Sequence, residues 1–366
     1  MMRTSFAMPL AAALALLTSP TAASQTIQLG DDATLALSGG IQPRVGYAAQ
    51  DVGAEARTDD RLGFGLRRAR LQFNLSYRGR AGMEYDIDTA PGDVRSVDLF
   101  GYYTVSETVQ VRAGRLPVAQ PRAYVPTSYT RLDAVDRAVV VERWADGTIG
   151  SSGRDLGAEL VLTPGATEIQ VSVHNGTGSF ARGDGNFRES GSSESVTRGV
   201  DRTALAVGAS VHHALDNGVS FGGFAGYNAT GGEATALNDV QRSYGTASAH
   251  LYWGERAGSQ PVRVKLDAIG IGYETVGGVG QQSLGVSGLG AVRVLGHGEV
   301  FVRGERYWDD VDGPAGTFGT VGASYSASAA RGQDYRNVRL TAGYTIREDA
   351  FDDIGHLFVV QGQLVF

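Results

Sequence analysis

The sequence predicts an all-β fold, a transmembrane antiparallel β-barrel of about 16 strands with a long third external loop folded into the lumen. Three observations predict it. Hydrophobic residues recur with a period of two, in segments of about 10 residues, along most of the chain. Glycine makes up 52 of the 366 residues, which suits neither long helices nor an ordinary soluble core. No stretch contains 18 consecutive apolar residues, so only a closed barrel of strands would place this chain within a bilayer.

The composition excludes several functional classes. With 42% hydrophobic residues, the chain is not a disordered segment. The absence of cysteine excludes disulfide scaffolds, thiolate metal sites and thiol nucleophiles. The formal charge is −7, with 39 acidic and 32 basic residues, whereas nucleic-acid-binding surfaces are net basic. We therefore expect no nucleic-acid partner and no cofactor.

Residues 1–24 have the pattern of a secretory signal peptide. Arg3 supplies the charged start, residues 7–17 are apolar, and residues 18–24 are small with one proline. The apolar run is too short to span a bilayer, although a buried N-terminal helix is an alternative interpretation. Residues 25–366 then form a single barrel domain outside the cytoplasm.

The last eleven residues, 356–366, give the clearest strand. One face carries Phe358, Val360 and Phe366, and the other face carries Gln361 and Gln363. A strand that ends on a terminal Phe resembles the C-terminal signature of bacterial outer-membrane barrels. The segments 69–78, 83–88, 262–268 and 338–347 repeat this alternation with charges on the second face.

One such strand would also suit a soluble sandwich, in which the apolar face is buried. A sandwich of this length would normally divide into two domains, yet no linker interrupts the pattern. In lipid, the apolar face points outward and the polar face lines the lumen. At this size we expect the lumen to hold water.

The connections are predicted to alternate between tight turns and longer loops, as in a barrel with two different ends. Tight turns are predicted at 78–80, 106–108, 163–166, 215–218, 255–261 and 295–298. Longer loops are predicted at 50–60, 89–96, 117–153, 176–201, 229–241, 309–314 and 347–355. Segment 117–153 is the longest of these and follows the fifth predicted strand, and folding into the lumen to narrow it is one role for such a loop.

We expect no catalytic site and no metal site. The six histidines are scattered without metal-ligand spacing, and the chain contains no HExxH, P-loop or GxSxG motif. The glycine-rich run 270–280 alternates glycine with apolar residues and is expected to lie within a strand, without the helix that a phosphate cradle needs.

Arginine is the more informative residue type, because every basic residue except Lys265 is an arginine. A guanidinium stays charged and binds carboxylate or phosphate oxygens through two parallel hydrogen bonds. The candidate pore-lining and anion-binding residues are Arg68, Arg70, Arg112, Arg122, Arg131, Arg137, Arg303 and Arg339. The facing of Arg67 and Arg68 is ambiguous, because the apolar face switches at Ala69 and predicts a bulge. Alternatively, these arginines pair with lumen carboxylates such as Glu84 and simply hold the wall together.

Several segments resemble the phosphate-selective porin O and P family of outer-membrane channels. They are 66–71 (LRRARL), 82–88 (GMEYDID), 98–103, 109–118, 154–157 (RDLG) and 174–176 (HNG), together with the terminal Phe366. The resemblance implies a 16-stranded trimeric porin in which an arginine ladder and lysines guide anions past an inserted third loop. Arg68, Arg70 and Arg112 lie where ladder residues would be. With Lys265 as its one lysine, the chain lacks the lysine-rich vestibule of that family.

This resemblance implies passive diffusion of small hydrophilic solutes, chiefly anions such as phosphate, across the bacterial outer membrane. The expected partners are outer-membrane lipid, lipopolysaccharide, small anionic solutes and two further copies in a homotrimer. A general non-selective porin, a non-conducting structural or adhesive barrel, and a secreted soluble β-protein remain as alternatives.

Overall fold

The computed structural model describes residues 25–52, 57–58, 61–90, 92–149, 153–176, 205–228, 243–274, 280–348 and 354–366. The predicted signal peptide, residues 1–24, lies outside these ranges. So do most of the predicted loops 50–60, 176–201 and 229–241.

The described residues contain eighteen strands and one α-helix. The strands are β1 (Gln25–Leu29), β2 (Ala33–Val52), β3 (Arg57–Thr58), β4 (Arg61–Tyr77), β5 (Ala81–Asp88), β6 (Arg95–Ser106), β7 (Val109–Leu116), β8 (Asp155–Leu162), β9 (Thr167–His174), β10 (Ala206–Ala214), β11 (Val219–Asn228), β12 (Ser243–Trp253), β13 (Val262–Glu274), β14 (Gln281–Val294), β15 (Gly298–Trp308), β16 (Ala315–Ser326), β17 (Val338–Glu348) and β18 (Ile354–Val365). The helix, α1, spans Val139–Gly147. Short 3-10 helices span Tyr129–Arg131 and Ala329–Arg331.

Sixteen of these strands, β2 and β4 to β18, form a closed antiparallel barrel, which confirms the predicted fold and strand number. Each strand pairs with its neighbours in sequence, and β18 pairs with β2 to close the ring. The short strand β1 pairs with the start of β2, and β3 pairs with its far end. Closure matters because an open sheet edge has no water to satisfy its backbone groups inside lipid.

The terminal residue takes part in this closure. The Phe366 amide donates to the Gly39 carbonyl at 3.0 Å, and the Gly39 amide donates to the Phe366 carbonyl at 2.8 Å. A Cβ atom on Gly39 would lie 2.6 Å from the Arg70 carbonyl oxygen and 2.8 Å from the Phe366 ring. The wall is therefore tightly packed where its first and last strands meet.

The two faces of the wall follow the predicted alternation. On β13, Val262, Val264 and Leu266 are exposed on the outer surface, whereas Arg263 and Lys265 are buried toward the lumen. Gln361 and Gln363 of β18 are likewise buried inside. Within the described ranges, no helix is long and apolar enough to cross a membrane.

All six predicted tight turns lie at one end of the barrel, called the turn end here, and the longer connections lie at the opposite loop end. The structure differs from the sequence-based expectations at two places. The run 270–280 is not one strand, because β13 ends at Glu274, β14 begins at Gln281, and the two pair antiparallel. The connection between β16 and β17, residues 327–337, was not expected. In both places alternation of small and apolar residues continues through a chain reversal, so the period alone does not mark it.

The predicted bulge is present at Arg67. Gln42 of β2 pairs with Arg68, but the next residue, Pro43, pairs with Leu66, which leaves Arg67 without a partner in register. The extra residue lets Arg67 and Arg68 both line the same cavity inside the barrel.

We predict that Gly39→Ala destabilises the closed barrel. The new methyl group would press on the backbone of β4, and such overpacking typically costs about 1–3 kcal/mol of unfolding free energy. Urea unfolding of the protein in lipid vesicles, followed by heat-modifiable migration on a gel, measures this loss. Gly63→Ala is the matched control, since nothing lies within 4 Å of a Cβ there. Equal stability of the two variants would contradict the role given to Gly39.

Candidate functional site

Residues 117–154 connect β7 to β8 and form the third connection at the loop end, as predicted. We call this segment the inserted loop, because its described part packs inside the barrel. Trp144 of α1 is 2% exposed and belongs to a hydrophobic cluster with Val140, Phe224 and Ile269. Its indole Nε1 donates to Thr246 Oγ1 of β12 at 2.8 Å. Burial of these side chains places α1 against the inner face of one side of the wall.

The wall also satisfies the start of α1. The first amides of a helix have no partner within the helix, and Ala138 at the N-cap offers no side-chain acceptor. Instead, Glu305 of β15 accepts a hydrogen bond from the Val140 amide at 3.1 Å, through Oε2. The helix N-terminus therefore faces a buried carboxylate, the sign of charge that its dipole favours.

A buried ion-pair cluster holds the middle of the inserted loop. Asp133 accepts hydrogen bonds from Arg263 Nε and Lys265 Nζ of β13, each at 2.7 Å. Arg263 also donates to Glu299 of β15 at 2.9 Å, through Nη2. Burial alone raises the pKa of the Asp133 carboxyl, but the charges of Lys265 and Arg263 outweigh burial and lower it overall. Asp133 is therefore ionised, and it connects the loop firmly to the wall.

Three of the predicted arginines lie between the inserted loop and the wall. Arg122 donates to Glu255 at 2.6 Å from Nε and pairs with Glu168 at 3.3 Å. Arg303 donates to the Asp136 carbonyl at 2.8 Å, and Arg339 donates to the Leu132 carbonyl at 2.8 Å. These side chains hold the loop backbone in place.

Two further predicted arginines belong, like Arg122, to the inserted loop, but they contact backbone groups. Arg137 donates to the carbonyls of Tyr124 at 3.1 Å and Thr127 at 2.9 Å, and burial lowers its pKa to about 10. Arg131 ends a 3-10 helix near the turn end, where its carbonyl accepts a hydrogen bond from Ala257 at 3.3 Å. Arg137 folds the loop onto itself, and Arg131 lies where the loop meets the turn between β12 and β13.

The inserted loop leaves a cavity of about 910 Å³ against the strands on the opposite side, from β4 to β6. Among the described residues, seven arginines and six carboxylates line it. The arginines are Arg67, Arg68, Arg70, Arg95, Arg115, Arg137 and Arg154, and the carboxylates are Glu84, Asp86, Asp88, Asp98, Glu142 and Asp146. Charges of opposite sign facing a water-filled space are the elements from which a pore selects ions.

Six of these thirteen charges take part in ion pairs. Arg70 pairs with Asp88 at 3.0 Å, and Arg154 forms two hydrogen bonds with Asp98, at 2.9 and 3.1 Å. Arg67 contacts two loop carboxylates at 3.2 Å each, those of Asp136 and Glu142. Arg112, another predicted site residue, pairs with Glu159 at 3.3 Å and does not line this cavity.

Four lining charges, Arg68, Asp86, Arg95 and Asp146, have no partner among the described residues, and two of them, Arg68 and Asp86, have a buried atom that is left unpaired. The buried Nε of Arg68 has no hydrogen-bond partner, and no described carboxylate pairs with its guanidinium, which lies 5.3 Å from the centre of the Tyr129 ring. Asp86 is 7% exposed, and its Oδ1 likewise has no partner. One cation and one anion, each with a buried unpaired atom, therefore face the same cavity.

The sequence identified the arginines but not the carboxylates and the ring that give them their roles. Asp133 and Tyr129 were visible only as members of a long polar loop, and Asp86 only as one of three acidic residues on one strand face. Arg263 and Lys265 on the inward face of β13 did signal that a buried carboxylate must lie opposite. Its position in the chain could not be read, because 130 residues separate Arg263 from Asp133.

Solved outer-membrane porins share this fold. An anion-selective porin from Comamonas acidovorans has a TM-score of 0.66 at 13% identity, over 92% of this chain and 100% of that one. The outer membrane channel DcaP of Acinetobacter baumannii has a TM-score of 0.61 at 13% identity, over 93% and 99%. Salmonella typhi OmpF, in a complex with daunomycin, has a TM-score of 0.59 at 11% identity, over 93% and 100%. The chain thus has the fold of the outer-membrane porins.

No family model and no curated protein matches the sequence. Membership of the phosphate-selective porin O and P family therefore stays a prediction.

We predict that Asp133→Asn loosens the inserted loop. Removing the carboxylate leaves Lys265 buried without its ionic partner, which typically costs about 3 kcal/mol or more of unfolding free energy. Urea unfolding in lipid vesicles should show this loss, and single-channel recordings should show larger and noisier conductance. The exposed Asp310→Asn serves as control. Unchanged stability and conductance in the Asp133 variant would contradict the proposed attachment.

The same ion pairs predict a direction of pH dependence. An aspartate in an unfolded chain has a pKa of about 4, and the pKa of Asp133 in the folded protein is lower. Its contribution to stability is therefore fully present above about pH 4 and is lost as the pH falls through the lower, folded-state value. The stability difference between the parent and Asp133→Asn should accordingly shrink only in strong acid.

Proposed function

We propose that this protein is an outer-membrane porin through which small hydrophilic solutes diffuse down their gradients. A closed barrel with an apolar outer face, a polar inner face and a charged cavity beside an inserted loop supports this function. Solutes would pass between the inserted loop and strands β4 to β6, through the cavity that the seven arginines and six carboxylates line.

We further propose that the constriction favours anions, phosphate among them. The observation that carries this proposal is the unpaired guanidinium of Arg68 in the 910 Å³ cavity, because an arginine without a carboxylate partner is free to bind an oxyanion. Arg70 contributes from the next inward position, although Asp88 neutralises much of its charge. Lys265 contributes nothing to passing solutes, because it is buried against Asp133.

A general porin with little selectivity is the second candidate. The near balance of seven arginines and six carboxylates around the cavity favours it. In this case the current would depend on solute size, and the removal of one arginine would change the ion preference little.

The proposed setting is the bacterial outer membrane, with residues 1–24 removed after export and three copies associated as a trimer. The exposed apolar side chains that cover the outer wall, such as Leu62, Phe64 and Leu266, support contact with lipid. The trimer rests on the sequence resemblance, and cross-linking of the native membrane would test it.

We predict that Arg68→Gln lowers the anion preference of the channel. In a planar bilayer under a KCl gradient, the reversal potential of the parent protein should have the sign of the chloride equilibrium potential. In the variant it should shift toward the potassium equilibrium potential. Phosphate added to one side should reduce the chloride current of the parent more than that of the variant.

Arg80→Gln, which removes the same charge from an exposed turn, is the control and should leave the reversal potential unchanged. A cation preference in the parent, or equal potentials in all three proteins, would reject the anion constriction. Absence of any single-channel current would reject the porin function itself.

A further inference from the structure

We infer that the cavity beside the inserted loop binds short linear peptides in their zwitterionic form, with the peptide carboxylate at Arg68 and the peptide ammonium at Asp86. The inference rests on the proposed porin function and names a solute class for its constriction. It follows from the two lining charges with buried unpaired atoms, their separation and the neutral wall between them.

The end of the cavity nearer the barrel's loop end carries excess positive charge. Arg67 and Arg70 have carboxylate partners, and Arg137 is bound to loop carbonyls, but Arg68 has neither. The guanidinium of Arg68 is held over the ring of Tyr129, which limits its motion and leaves its donors for a ligand. A planar carboxylate is the group that this fork matches through two hydrogen bonds.

The deeper end of the cavity carries excess negative charge. Asp86 of β5 and Asp98 of β6 are paired in register, so two carboxylates face each other across adjacent strands. Like charges in such positions destabilise a sheet unless a cation lies between or beside them. Arg154 neutralises Asp98 through two hydrogen bonds, whereas Asp86 has no partner among the described residues. Glu84, the next inward residue of β5, accepts only from Gln72.

A solute ammonium is the complement that this end lacks. An ammonium offers three donors, enough to satisfy Asp86 and Glu84 together. Inorganic phosphate or a simple carboxylate would satisfy Arg68 alone and would be repelled by the carboxylates of Asp86 and Glu84.

The distance between the two ends selects the length of the solute. Asp86 pairs in register with Gln72, which lies four residues along β4 from Arg68, a separation of about 13 Å between backbone positions. An extended tripeptide spans roughly 10 Å between its termini. Side chains that lean along the strand bring the two charges within reach of both termini. A free amino acid would be too short to reach both.

The wall between the two ends suits a neutral peptide backbone. Arg70 and Asp88 are paired with each other at 3.0 Å, so they add no net charge between the ends. Gln72 and the Tyr129 ring lie in the same stretch of the cavity lining and offer polar and aromatic contacts. Peptide amides hydrogen-bond to such surfaces without needing a charged partner.

The test uses the full-length mature protein and three uncharged-side-chain peptides that differ only at their ends: trialanine, N-acetyl-trialanine and trialanine amide. Reversible block of single-channel current and isothermal titration calorimetry in detergent both report binding. We expect trialanine to bind at least about tenfold more tightly than either capped peptide, because each cap removes one charge-assisted contact. Glycine should bind as weakly as the capped peptides.

Variants assign each terminus to one residue. In Asp86→Asn, trialanine and N-acetyl-trialanine should bind equally, because the ammonium has lost its partner. In Arg68→Gln, trialanine and trialanine amide should bind equally, and Arg68→Lys should recover part of the difference. Asp216→Asn, in an exposed turn, should behave as the parent. Heat-modifiable gel migration verifies that each variant is folded.

Two outcomes would overturn the inference. One is equal affinity of the parent for all three peptides, measured by calorimetry. The other is phosphate block that depends on Arg68 but not on Asp86, with no effect of trialanine. If the parent conducts ions and shows either result, the porin function stands without the peptide site. If no current is seen at all, the porin function fails, and calorimetry still decides whether the site binds peptides.

Discussion

Charged side chains that face the inside of this barrel must each find a counter-charge or water, and this requirement determines where the inserted loop lies. Without Asp133, Lys265 of β13 would be a buried cation without an ionic partner, and Arg263 would keep only Glu299 as one. Glu305, which pairs with Arg303 of the wall at 2.8 Å, also accepts a hydrogen bond from the Val140 amide of the loop. The loop therefore supplies the groups that one side of the wall lacks.

The consequence is an asymmetric lumen. Trp144 and the buried ion pairs fill the side of the barrel formed by β12 to β15. On the opposite side Arg70 of β4 pairs with Asp88 of β5 within the wall, whereas Arg67 and Asp98 pair with charged residues of the inserted loop across the cavity. The space left there is the cavity of about 910 Å³, in which buried atoms of Arg68 and Asp86 have no partner among the described residues.

The sequence alone predicted correctly the features that depend on residues close together in the chain. Alternation of period two located the strands, the tight turns had glycine or short polar signals, and the change of apolar face at Ala69 marked the bulge at Arg67. It failed at 270–280 and 327–337, where small residues continue the alternation through a reversal of the chain. The arginines were recognisable as inward-facing, but Arg303 and Arg339 bind the loop backbone and do not line the open cavity.

The sequence by itself determined the barrel, its approximate number of strands, the inward face of the strands that alternate clearly and the segment that would enter the lumen. These properties follow from periodicity and loop length, which are readable within a few residues. Only the tertiary structure decided which charges are matched. Pairing joins residues such as Arg263 and Asp133 that are far apart in the chain, and a guanidinium has the same local sequence whether or not a carboxylate reaches it.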